Sequence, residues 1–134
     1  MISLETAVAL QQAGLTWQPT LHDFFAVPNV DMDERVFVLT DMVAELTVLK
    51  GWPAITFNGA VEWSLDYILQ IDAVWLPREE QLRSAVAMRT PFQLRVTPTG
   101  YACVIPVQGV EQSFGAAVAE EAYAAVLLFL LGGE

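Results

Sequence analysis

Phe92-Gln93-Leu94-Arg95-Val96-Thr97-Pro98-Thr99-Gly100-Tyr101-Ala102-Cys103-Val104-Ile105-Pro106-Val107 decides the fold class. Phe92, Leu94 and Val96 alternate with Gln93, Arg95 and Thr97, the period of a half-buried strand. Pro98-Thr99-Gly100 makes a turn, and Tyr101–Val107 returns as the partner strand. Gln108-Gly109 closes it. The hairpin is flanked by helical sequence. Upstream, Pro77 stands where a helix begins, with Glu79 and Glu80 in its first turn. Leu82, Ala85 and Val86 mark its buried stripe, and Glu79–Arg83 is an i,i+4 ion pair. This middle helix is expected over Pro77–Met88. Downstream, Ala116–Leu131 is rich in alanine and leucine, hence helical by propensity.

Working toward the N-terminus, Ser3 caps a first helix, Leu4–Ala13, and Gly14 stops it. Phe24–Val27 reads as a strand and Pro28-Asn29 breaks it. Val30–Arg35 reads as an exposed turn. Val36–Thr40, Ala44–Lys50 and Ala54–Phe57 read as strands, with Gly51 and Pro53 interrupting the last two. Asn58-Gly59 is a tight-turn signal. Val61–Ile71 carries two signals. Its odd positions are all apolar, as in a strand, but it has few β-branched residues and suits an early helical turn at Glu62 and Asp66. A short helix is preferred and a strand stays open. Ala73–Leu76 is a short apolar strand.

These elements predict an α+β fold. One antiparallel sheet of about five or six strands carries an N-terminal, a middle and a C-terminal helix. No regular βαβ alternation appears, which disfavours a parallel sheet. A chain of 134 residues reads as one domain, 1–134, able to bury about two thirds of its unfolded surface. With 54% apolar residues it exceeds the usual content, so disorder is excluded and surplus apolar surface needs a destination. The C-terminal helix has almost no polar face beyond Glu121. Either two layers of the protein enclose it, or a second subunit covers it.

The net charge is −10, with six basic residues. Polyanions would be repelled, which argues against nucleic acid and against an anionic membrane surface. Ala122–Gly133, the most apolar run, is too short to span a bilayer. The N-terminus lacks the basic region of a signal peptide, and a lone cysteine forms no internal disulfide. Both point to the cytoplasm.

Chemistry-bearing residues are scarce. There is one histidine, His22, and one cysteine, Cys103. His22-Asp23 is the only His–carboxylate neighbour pair, but a triad needs a nucleophile and an orienting group as well. Ser64, Ser84 and Ser113 lack a nucleophile elbow. Asp31, Asp33 and Glu34 fall short of a calcium loop, which needs further ligands and a turn glycine. The Arg78–Leu82 run superficially resembles a pyrophosphatase magnesium helix, but Ser64 stands where that motif needs glycine. No phosphate loop and no Cys-x-x-Cys occurs. No cofactor and no metal is therefore expected, and no catalytic residue is assigned. Cys103, mid-strand, reads as an inert buried thiol. The tryptophans Trp17, Trp52, Trp63 and Trp75 read first as core or core-edge residues. Trp17, His22, Trp52 and Trp63 are the candidate contacts for a ligand or partner.

Several segments carry a resemblance: Leu4–Gly14 with Trp17-x-Pro19, Asp23-x-Phe25, Phe37–Met42, Phe57-Asn58-Gly59 with Glu62-Trp63, Trp75-Leu76-Pro77-Arg78-Glu79-x-Gln81-Leu82, Gly100-Tyr101 and Glu120–Tyr123. Together they resemble a family of short bacterial proteins, some of which carry a pilus-assembly label. The likeness spans nearly the whole chain and is most specific at Trp75–Glu79. A looser likeness is to phage-type α-β-β-β-α sandwich proteins. Both imply an α+β fold, and neither carries an established activity or functional residue to this chain.

The expected function is a non-enzymatic interaction domain. It would bind a protein partner or itself, as a homodimer through the Ala116–Leu131 helix. A small-molecule module with a tryptophan-lined pocket is the alternative. An enzyme using Glu62 and Asp66 ranks last, because nothing pairs those acids with an orienting group.

Overall fold

Ser3 caps the first helix: its hydroxyl accepts the Thr6 N–H at 3.1 Å and its own backbone is extended. Helix α1 then runs Leu4–Ala13 and stops at Gly14, whose φ of 106° is left-handed, as the sequence predicts. The computed structural model describes residues 1–28, 32–39, 44–49, 52–57, 67–69 and 72–132. The fold is α+β, with three helices and nine strands among those residues. No helix among them is long and apolar enough to cross a membrane.

The strands are β1 Phe24–Val27, β2 Met32–Val38, β3 Ala44–Leu49, β4 Trp52–Phe57, β5 Tyr67–Leu69, β6 Val74–Leu76, β7 Gln93–Thr97, β8 Gly100–Val107 and β9 Val110–Ala116. Helix α2 spans Glu79–Ala87 and α3 spans Ala119–Gly132. The single sheet of five or six strands is not what forms. The described strands make three antiparallel three-stranded sheets, ordered β2-β1-β6, β3-β4-β5 and β7-β8-β9. The contacts divide the chain into two units, Met1–Leu15 with Pro77–Glu134, and Thr16–Leu76.

The discontinuous unit holds all three helices and the sheet β7-β8-β9. Directly opposed residues share a face, so the register puts Leu94, Cys103 and Phe114 on one side and Arg95, Ala102 and Gly115 on the other. The first side meets α3: the Phe114 and Phe129 rings lie 5.3 Å apart. The second carries Gln93, Arg95 and Glu111 around the buried Ala102 and Val104. There Arg95 on β7 hydrogen-bonds Gln93 and reaches Glu111 on β9 at 3.5 Å, so the pair bridges the central strand β8. Helix α3 also packs against α1 and α2, so Ala122, Tyr123, Ala124, Val126 and Leu127 are buried. Of the two coverings the sequence left open for this helix, its own unit supplies the first. At the other end of α3, Glu121 accepts the Ser3 N–H at 2.9 Å and the Thr6 hydroxyl at 2.8 Å, which pins α1 to α3.

The middle helix is shorter than expected. Arg78 is its N-cap and Met88 its C-cap, so Pro77 lies outside it. The Arg78 N–H is satisfied by Gln81 Oε1 at 2.8 Å, which fixes the start one residue beyond the proline. The last helix begins at Ala119, because Val110–Ala116 is a strand that composition does not announce. Its cause is local. Gln108 and Gly109 both have positive φ, 51° and 82°, the geometry of a two-residue hairpin turn. Such a turn commits the chain that follows to pair with the strand before it.

In the Thr16–Leu76 unit, β1 is the central strand of its sheet, and Phe25, Ala26 and Val27 are all buried, so both its faces are covered. Three expectations are corrected here. Met32–Arg35 belongs to strand β2, because Val27 pairs with Met32 across an irregularity in register. Pro53 does not interrupt β4. Among the described residues it pairs with Val48 only, because β5 ends at Leu69 opposite Ala54, so its missing N–H breaks no described bond to β5. Tyr67–Leu69 is strand, not helix. Val61–Asp66, Asn58-Gly59 and Asp31 lie outside the described residues.

Candidate functional site

Loop Thr16–Asp23 turns sharply before β1. His22 has φ 73°, a left-handed conformation that histidine tolerates better than most residues. Its N–H donates to the Leu39 carbonyl at 2.7 Å, and the Leu39 N–H donates to the Asp23 carbonyl at 2.9 Å. These bonds continue the β1–β2 pairing past the strand end and turn the Asp23 side chain inward. Asp23 is 1% exposed, the one buried charged residue among those described. Its Oδ2 accepts the Trp17 indole N–H at 2.9 Å and the Thr20 N–H at 3.1 Å. A buried carboxylate needs such donors. Here they brace the loop.

Next to this brace lies an aromatic row. Phe37, Phe25 and Trp75 stand directly opposite one another on β2, β1 and β6, so they share a face. Phe25 and Phe37 are stacked at 5.4 Å, and Trp17 lies over Phe25 at 5.7 Å. Trp75 Nε1 is buried and has no hydrogen-bond partner among the described residues. An indole N–H away from water normally finds an acceptor, so this atom is an exception that asks for a reason.

The sequence candidates are therefore distributed as follows. Trp17 is buried beside Asp23. His22 is on the surface of the same loop. Trp52 begins β4, in a different sheet, opposite Leu49. Trp63 lies outside the described residues. The structure thus brings together Trp17 and the His22-Asp23 pair, and adds Trp75, which sequence reasoning treated as core like the others. The alternation in Val74–Leu76 could have placed Trp75 on a strand. Only the register could show it level with Phe25.

A second polar cluster lies in the helical unit. Tyr123 is buried, edge-on to Phe92 with ring centroids 5.7 Å apart. Glu79, whose charge acts on the phenol, holds Arg83 at 3.2 Å. Burial first, and then the Glu79 charge, push the Tyr123 phenol above its ordinary value, partly offset by Arg83. Cys103, fully buried on β8, has its thiol raised by the same desolvation. Neither group is poised to lose a proton near neutrality, which is the opposite of what a nucleophile or general base needs. Among the described residues, no three His, Cys, Asp or Glu side chains could hold a metal ion together. No protein-family model, no curated protein and no solved structure matches this chain.

Proposed function

We propose that this chain is a non-enzymatic assembly domain that self-associates, pairing two copies beside the end of α3. One observation carries the reading. Leu128, Phe129, Leu130 and Leu131 are each only half-buried. Four consecutive residues go once round a helix. The last turn of α3 is therefore apolar and less covered than the turn before it, where Ala124, Val126 and Leu127 are buried. Contiguous apolar surface of this kind marks an interaction site in a soluble chain. The two chemically richest clusters, at Asp23 and Tyr123, read as internal braces, which supports a binding role over a catalytic one. The net charge of −10 disfavours nucleic acid as the partner. A cytoplasmic location and the likeness to short proteins with a pilus-assembly label belong to the same proposal.

Sedimentation velocity across a wide concentration range tests it. The expected result is a monomer–dimer equilibrium in the micromolar range that Leu128→Glu shifts to monomer without loss of helicity. A monomer at several hundred micromolar would remove the reading.

A second reading, a small-molecule module, is favoured by Trp75 Nε1. A buried donor without an acceptor among the described residues, beside an aromatic row, suits a flat ligand that carries a carbonyl or other acceptor. Tryptophan emission under titration with acceptor-bearing aromatic metabolites tests it. Quenching that Trp75→Phe abolishes supports this reading, and indifference to the whole set rejects it.

A further inference from the structure

Strand β9 ends its sheet: β8 pairs with one of its sides, and no described strand pairs with the other. Its register with β8 runs unbroken from Val110 to Ala116, with no bulge. It contains no lysine and no proline. Natural proteins usually blunt an edge with one of these, because a regular open edge offers a row of unpaired N–H and C=O groups to another chain. Five of its seven residues are exposed, from Val110 to Ser113 and again at Gly115. The single charge on the strand, Glu111, is already held by Arg95 across the sheet.

We infer that β9 pairs antiparallel with β9 of a second copy about a two-fold axis at Ser113, joining two three-stranded sheets into one of six strands. This inference rests on the proposed self-association and names its surface. A seven-residue strand pairs along its whole length with itself only when its middle residue, Ser113, sits on the axis. Glu111 then lies opposite Gly115, Gln112 opposite Phe114 and Val110 opposite Ala116. No like charges are opposed, so the strand is self-complementary. The other edge is not. Centred on its own middle residue, β7 would set Arg95 against Arg95. A two-fold perpendicular to the sheet also keeps both copies of α3 on one face. Phe129 packs on Phe114 of β9, so the half-covered end of α3 lies beside the seam and the two ends meet across it.

Cysteine cross-linking read beside sedimentation tests this in the full chain. Opposed residues have Cα atoms about 4.5–5.5 Å apart, within disulfide range. Ser113→Cys is therefore expected to give a covalent dimer on mild oxidation. Gln112→Cys, roughly 8 Å from its own copy on the diagonal, is expected to give little. Ser113→Lys places like charges on the axis and is expected to weaken the dimer about fivefold, less at high salt, with unchanged far-UV dichroism. A dimer in sedimentation that neither cross-links through residue 113 nor responds to Ser113→Lys overturns the pairing and leaves self-association standing. A monomer throughout overturns both.

Discussion

The indole N–H of Trp17 and the carboxylate of Asp23 meet at 2.9 Å inside the Thr16–Leu76 unit, and the same oxygen receives the Thr20 N–H. Replacing Asp23 with alanine leaves both donors without that acceptor. Trp17 is buried and Thr20 is exposed, so one buried donor loses this acceptor, at about 1–3 kcal/mol, and Asp23→Ala is expected to lower stability by roughly 2 kcal/mol. Asp23→Asn keeps an acceptor oxygen and should lose about half as much. Chemical denaturation followed by tryptophan emission measures both. Equal losses for the two variants would show that the charge, not the acceptor, matters.

Tyr123 makes stability depend on alkaline pH. Its folded phenol is raised above its ordinary value, by burial and by Glu79, so folding favours the protonated form. The stability this represents is fully present below the unfolded value, near pH 10, and is lost as pH rises through the folded one. Two outcomes are expected. In a phenolate absorbance titration, one tyrosine should ionise late or only on unfolding. In Tyr123→Phe, the part of the alkaline loss of stability that comes from this group should vanish.

Gly100 opens β8 with φ 154°, and a Cβ there would stand 2.2 Å from the Ala116 carbonyl oxygen and 2.7 Å from the Ala117 Cα. Both are backbone atoms, so the chain itself must shift. Gly100→Ala is expected to destabilise by on the order of 3 kcal/mol. Gly109→Ala meets no neighbour but must adopt φ 82°, and should cost about 1 kcal/mol. Thermal melts of the pair test the order. A larger loss at Gly109 would contradict the close approach at Gly100.

Cys103 is fully buried and its thiol is raised by desolvation. It should resist thiol reagents in the native protein, and its modification rate should follow opening of the sheet β7-β8-β9. Rapid labelling at neutral pH without unfolding would contradict this.

How much was legible in the sequence varied with the distance over which each element is determined. Leu4–Ala13 was readable to the residue, because Ser3 and Gly14 are local signals at its two ends. The strand Phe24–Val27 and, to within one residue, the strand expected over Tyr101–Val107 were readable from apolar content between breakers. Strand β9 was not. Val110-Glu111-Gln112-Ser113-Phe114-Gly115-Ala116 has little β character, and it is strand because the turn at Gln108-Gly109 aims it back along β8. The same override moved the start of the last helix to Ala119. Division into three sheets was invisible, since pairing partners are set by long-range contacts. At the candidate site, the His22-Asp23 neighbours were noticed for chemistry, whereas the carboxylate faces Trp17 and the backbone. That the N–H of Trp75 finds no partner among the described residues has no local signature at all.

Helix α1 is bonded through Ser3 and Thr6 to Glu121, 118 and 115 residues further along. As the polypeptide leaves the ribosome, that helix is therefore made long before the residue that holds it. Thr16–Leu76 can settle in the meantime, while the alanine- and leucine-rich tail is still unmade. The newborn α1 must wait, uncovered on its Ala7–Leu10 side, until translation reaches Glu121, so a chain broken off before that residue leaves the helix without its anchor.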